Sequence, residues 1–201
     1  VCLVFLCWSA CKALGPHEVL VLVNASSTNS VAIGNHYCRI RDIPERNVVR
    51  LRMPKGMGTE SIKMSPEQFN RHIWAPARRT IVERGLESSI LAWAYSSDFP
   101  IFIKTKPAMS IQGITFVRNR IPEGAVIKGG LFDSPLFAGP KTPDPEAYQS
   151  QTFDVYRDWL GDSMPLPSML LGYTGVRGNT RKAVLNCLDR GLESDFSAPS
   201  G

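Results

Sequence analysis

The sequence predicts an α/β domain: a three-layer sandwich with a mostly parallel sheet of about four to five strands and a long irregular insert. Three observations carry that expectation. Short apolar runs recur without polar alternation, the pattern of strands buried on both faces. Segments with helical apolar spacing separate them. Prolines at 107, 122, 135, 140, 143 and 145 forbid long regular elements between the third and fourth runs.

The first run, Glu18–Asn24 (EVLVLVN), reads as a strand. Ser26-Ser27-Thr28-Asn29-Ser30 then offers several helix N-caps, and Ile33, Tyr37 and Ile40 fall on one helical face. Ile43-Pro44 closes that helix, and Asn47–Leu51 is the second strand. Strand, helix and strand make a βαβ unit with a right-handed crossover.

Lys55–Thr59, with Gly56 and Gly58, is a loop. Ser65-Pro66-Glu67-Gln68 starts a helix, with Ser65 as N-cap, Pro66 in the first helical position and Gln68 closing a capping box. Phe69, Ile73, Ala77 and Ile81 define its core face, Pro76 should kink or split it, and Gly85 suits its C-cap. Ile90–Tyr95 is the third strand, Ser96–Pro100 a turn, and Ile101–Ile103 a short further strand. Ile111–Val117 fits a short helix or strand, Leu131–Pro140 an aromatic-bearing loop, and Tyr148–Leu160 a helix. Ser168–Tyr173 is the fourth strand. Asn179–Asp195 is the last helix, with Val184, Cys187 and Leu188 inward.

The chain has 201 residues, 43% hydrophobic and 20% charged, a composition for one folded core rather than a disordered chain. Residues 1–13 read as a signal-peptide-like segment and 14–201 as a single domain truncated at its C-terminus. VCLVFLCW is a short apolar run followed by small residues, the shape of a secretory h-region and cleavage site. Ser9-Ala10-Cys11 resembles the end of a bacterial lipobox with Trp8 in place of Leu, which makes Cys11 a candidate lipid anchor. The expected location is therefore exported: periplasmic, envelope-associated or secreted, with no further membrane span.

Net charge is +5. Between Arg39 and Arg84 stand eleven basic and five acidic residues, spread over a helix end, a turn, a strand and a second helix. That scatter fits a solvated surface, so no nucleic-acid partner is expected; a polyanion-binding face is the alternative. The cysteines are Cys2, Cys7, Cys11, Cys38 and Cys187, with no CxxC pair, so neither a cysteine metal site nor a disulfide framework is expected. Cys38 and Cys187 read as packed thiols. His17, His36 and His72 have no metal-ligand spacing. No cofactor is called for.

Open α/β sheets bind ligands beyond the carboxyl ends of their strands. A parallel sheet would gather Asn24, Ser26 and Ser27 after the first strand, Asp98 after the third, and Arg177 and Asn179 after the fourth. These six are the candidate ligand-binding residues, although capping and turn chemistry alone also explains each. The turn GYTGVRGNT (Gly172–Thr180) could hold an anion, but it is neither a Walker A loop nor a dinucleotide fingerprint. A Ser27, His36, Asp98 triad lacks the GxSxG elbow. No residue is assigned as catalytic.

The stretch VLVLVNASSTNSVAIGNHYCRIRDIPERNVVRL resembles the opening of a family of exported bacterial conserved-hypothetical proteins, VVVNxxxxxSxxxAxYYxxxRxIPxxNVxxL. The resemblance extends over Ser65–Gly85, Ile90–Ile103 and Met169–Leu192. Asp98-Phe99 departs from the usual small residue and Val before Pro100, and Gly172–Gly178 from the usual Arg-Leu-Asp-Gly stretch. The family implies export and no defined activity. Its element order is weakly similar to caspase- and gingipain-type cysteine peptidases, in which a His-Gly and a Cys follow later strands. A dyad of that kind would lie beyond Gly201, leaving this chain as the front part of a hydrolase.

Overall fold

The computed structural model describes residues 14–106, 108–120, 137–138, 149–150, 166–174 and 178–196. The main sheet has four parallel strands: β1 (Val19–Asn24), β2 (Val48–Leu51), β4 (Ala92–Tyr95) and β9 (Ser168–Leu170). Their order is β2-β1-β4-β9. Val21 pairs with Val48 on one side and with Ala94 on the other, and Ala94 pairs with Met169.

Alternation along β1 divides the core in two, which explains its unbroken apolar run. Val19, Val21 and Val23 face α1 (Thr28–Ile40) and α5 (Arg181–Phe196), meeting Ile33, Tyr37 and Val184. Leu20 and Leu22 face the opposite layer with Trp93, Tyr95, Phe69, Ile73, Ala77 and Ile81. Helices therefore cover both faces, as the three-layer expectation requires. The helices on the valine side pack closely. A Cβ on Gly34 would lie 2.6 Å from Val23 Cγ2, and one on Gly172 would lie 2.7 Å from Val184 Cγ1.

The second helical segment follows its sequence signals closely. In α2 (Pro66–Phe69), Ser65 Oγ accepts from Gln68 N at 3.2 Å, and Gln68 Oε1 accepts from Ser65 N at 2.8 Å. A π turn, Asn70–Trp74, separates it from α3 (Ala75–Glu83), and the Ala75 N–H bonds Asn70 O. Pro76 has no N–H for the carbonyl four residues back, and its ring would crowd that carbonyl. The widened turn accommodates both effects. All four predicted core positions of this segment are buried, and Gly85 ends it with φ +61°.

A second sheet joins β3 (Lys63–Met64), β5 (Phe102–Ile103) and β6 (Met109–Ser110) in the order β3-β5-β6. The short strand expected at Ile101–Ile103 belongs here, not to the main sheet. The stretch Ile111–Val117, open between helix and strand, forms α4 (Ile111–Phe116), capped by Ser110. An aromatic row crosses the leucine-side core: Phe69, Trp74, Trp93, Tyr95 and Phe99, with successive ring centroids 6.3, 5.1, 6.3 and 5.3 Å apart.

Two expectations are corrected. Gln149–Ser150 (β8) pairs antiparallel with Phe137–Ala138 (β7), so the helix expected from Tyr148 does not begin there; local apolar spacing gave way to pairing with a distant segment. Its remainder lies outside the described residues, as do residues 1–13 with Cys11 and most of the insert. Cys187 is exposed, and Val184, Leu185 and Leu188 form the inward stripe of α5. Cys38 is half-buried, and burial, with Glu45 nearby, pushes its thiol up to about 11. Among the described residues no helix is long and apolar enough to cross a membrane.

Candidate functional site

The strand order reverses between β1 and β4. The chain leaves β1 toward β2, then returns through α2 and α3 to place β4 on β1's other side. Such a switch point opens a crevice at the carboxyl ends of the strands. Here Asn24 closes β1 and Asp98 follows β4. Asn24 Nδ2 donates to Asp98 O at 2.7 Å across the crevice.

Asp98 is the hub. It is 6% exposed and holds a left-handed backbone, φ +59°, which Asp and Asn tolerate better than most residues. Its Oδ2 accepts from Ser27 Oγ at 2.5 Å and its Oδ1 from Thr174 Oγ1 at 2.5 Å. Both carboxylate oxygens thus take hydroxyl protons, and the ends of β1, β4 and β9 converge on one side chain.

Asn24 and Ser27 each serve several contacts. Asn24 Oδ1 accepts from Ser26 N at 3.0 Å, and Asn24 N donates to Ser30 Oγ at 2.9 Å. Ser27 Oγ accepts from Ser30 N at 3.1 Å, capping α1 with the hydroxyl that donates to Asp98. Capping and clustering, alternatives from sequence alone, are thus one arrangement at Ser27. Ser26 Oγ donates to Met53 O at 3.0 Å and ties the tip of β1 to the loop after β2.

That loop presses on the hub. Gly58 has φ +91°, and a Cβ there would fall 2.1 Å from Asp98 O. Only glycine fits such an approach. The loop separates two hollows, with Thr59 and Glu60 lining both. The larger, about 550 Å³, also takes in Lys63, Asp98, Phe102 and Tyr173. The smaller, about 400 Å³, is lined by Asn24, Ser26, Lys55 and Met57 among others.

Of the six candidates, Asn24, Ser26, Ser27 and Asp98 are joined by direct hydrogen bonds, Asn24 and Ser27 to Asp98 and Ser26 to Asn24. Asn179 is exposed; it is held by its backbone, Asn179 N donating to Tyr173 O at 2.8 Å and the residue bridging to Thr174. Thr180, not Asn179, caps α5, accepting from Ala183 N at 3.2 Å. Arg177 lies outside the described residues. Sequence reading missed Thr174, the second hydroxyl on Asp98, because its glycine-flanked turn reads as an anion loop. It also missed Gly58, Glu60, Lys63, Phe102 and Tyr173. The two glycines of Lys55–Thr59 were the one available signal, since paired glycines mark a loop that must approach something closely.

His36 has no part in the hub. Its Nε2 lies 2.6 Å from Asp189 Oδ1 and its Nδ1 2.8 Å from Arg39, bracing α1 against α5. A Ser27, His36, Asp98 triad is therefore excluded. Several of the arginines considered as a polyanion face are engaged with neighbours. Arg46 and Arg84 bond each other's carbonyls at 2.9 and 2.7 Å, and Arg50 pairs with Glu45. Among the described residues no cluster of three or more His, Cys, Asp or Glu could hold a metal ion.

Fold and site define an open α/β domain with a polar hub at the carboxyl edge of a parallel sheet. No protein-family model, curated protein or solved structure matches the chain.

Proposed function

We propose that this chain is a small-molecule binding domain exported to the bacterial envelope, with its ligand seated in the carboxyl-edge cleft beside Asp98. One observation carries the reading: three parallel strand ends meet on the Asp98 carboxylate, next to a cleft of about 550 Å³. That volume falls within the range of about 300–1,000 Å³ typical of small-molecule sites. The hub holds the cleft floor rigid through bonds from Ser27, Thr174 and Asn24, which is the support a binding site needs. Glu60 and Asp98 on its walls make it a poorer anion site than the sequence alone implied. Export rests on the signal-peptide-like opening and the resemblance to exported proteins.

The test is a thermal-shift screen over classes of small metabolite. A ligand of the folded state raises the unfolding temperature by mass action, by about 2.7 kcal/mol of stability at a hundred times its Kd. Binding in this cleft predicts that Lys63→Ala or Glu60→Gln abolishes the shift. A shift unaffected by both would place the ligand elsewhere and defeat the reading.

The second reading, the front part of a cysteine peptidase or other hydrolase, draws support from the loops after β4 and β9, which meet over the cleft. Among the described residues that edge carries no thiol and no imidazole, so this reading requires residues outside them. Peptide hydrolysis abolished by iodoacetamide would favour it over the first.

A further inference from the structure

We infer that the larger cleft takes a neutral saccharide of one or two rings; this rests on the reading of the cleft as a binding site and names its ligand class. Phe102 and Tyr173 are 41% and 42% exposed. A single exposed aromatic needs no explanation. These two come from different sheets, Phe102 from β5 and Tyr173 from just beyond β9, and both line the same cleft. They give that cleft open ring surface beside polar groups.

The polar groups choose among ligands. Glu60, Lys63, Asp98, Thr59 and Thr174 line the walls. With Asp98 largely buried and bonded to two hydroxyls, a phosphate would meet the Glu60 carboxylate against the Lys63 ammonium and gain no net attraction. A quaternary cation would gain from the rings, but Lys63 opposes it, and Asp98 is largely buried and already holds two hydroxyl protons. A flat aromatic ligand would use the rings and leave the acceptor and donor groups desolvated without partners, which costs affinity. A pyranose satisfies both sets. Its C–H face lies on an aromatic ring, while its hydroxyls donate to Glu60 and accept from Lys63. The cleft volume, about 550 Å³, has room for a ligand of this size.

The test is saturation-transfer NMR on the full chain with glucose, N-acetylglucosamine, cellobiose and maltose, and with inorganic phosphate and tetramethylammonium as comparators. The expected result is transfer to the ring protons of at least one saccharide. Phe102→Ala and Tyr173→Ala should each weaken that binding by about fivefold, the order of one lost aromatic contact. Tyr173→Phe should keep it, because the ring face remains. Both side chains are well exposed, and unchanged thermal unfolding of the variants confirms that the fold is intact. Saccharide binding that survives both alanine variants overturns the inference. Binding of only phosphate or tetramethylammonium, lost in Lys63→Ala or Glu60→Gln, overturns the saccharide class but keeps the cleft as a binding site. If no probe binds, the saccharide inference falls, and the thermal-shift screen over the other metabolite classes decides the reading of the cleft as a binding site.

Discussion

Replacing Asp98 separates the two roles of that residue, the carboxylate that collects hydroxyls and the backbone that turns left-handed. In Asp98→Ala, Ser27 Oγ and Thr174 Oγ1 lose the acceptors they now reach at 2.5 Å. A hydrogen bond to a charged group contributes about 1.5–3 kcal/mol net. Alanine at φ +59° adds a left-handed cost of about 1 kcal/mol. Part of the bond loss is recovered if water reaches the hydroxyls, so the expected total is about 3–5 kcal/mol. Asp98→Gly removes the same bonds without the backbone cost and should be milder by about 1 kcal/mol. Asp98→Asn keeps one acceptor and the left-handed tolerance, and should cost about 1–2 kcal/mol. The assay is urea unfolding at unchanged m. With m about 2 kcal/mol per molar, the alanine midpoint falls by roughly 2 M. An alanine variant within about 0.5 kcal/mol of the parent would refute the hub. Glycine as damaging as alanine would refute the backbone part alone.

Gly58→Ala should destabilise by about 2–4 kcal/mol and weaken binding in the larger cleft, because the new methyl must displace either the loop or the Asp98 peptide; urea unfolding and ligand titration check this. Gly34→Ala should cost about 1–3 kcal/mol through its clash with Val23, and Val23→Ala should cost less in that background than alone, as a double-mutant cycle will read. On the alkaline side, stability should hold from neutral pH to about pH 9 and fall above it. Burial raises the Cys38 thiol from the ordinary 9.0 to about 11 and also raises the Tyr95 phenol. The folded state therefore holds protons that the unfolded chain releases, and this stability is lost as pH rises through the folded values. Cys38→Ala and Tyr95→Phe should each flatten the alkaline limb of a pH series of unfolding midpoints. Tyr95→Phe should also cost about 1 kcal/mol at neutral pH by leaving Thr115 Oγ1 without the phenol 2.7 Å away.

The main sheet was legible because its strands are buried on both faces, which writes itself as runs such as VLVLV. The βαβ opening, the Ser65 capping box and the Pro76 interruption were legible because each depends on neighbours within a few residues. The second sheet was not. Lys63–Met64 and Phe102–Ile103 are two residues long and gain their strand character from each other across some forty positions. The same reason hides the pairing of Phe137–Ala138 with Gln149–Ser150. Cys187 was misplaced because an inward stripe of 184, 187 and 188 and one of 184, 185 and 188 differ by a small rotation of the helix. At the site, the parallel sheet made Asn24, Ser27 and Asp98 predictable neighbours. Thr174 and Gly58 were not, because their roles arise only from how two loops meet at Asp98.

The row from Phe69 through Trp74, Trp93 and Tyr95 to Phe99 ends at the cleft, since Phe99 is one of its lining residues. Two indoles 5.1 Å apart couple their electronic transitions, and a phenol beside them passes its excitation to the nearer indole. The protein therefore carries an intrinsic optical probe. Repacking of Phe99 by an occupant should alter the near-ultraviolet dichroism of the coupled pair, so occupancy can be followed by light without attaching a label.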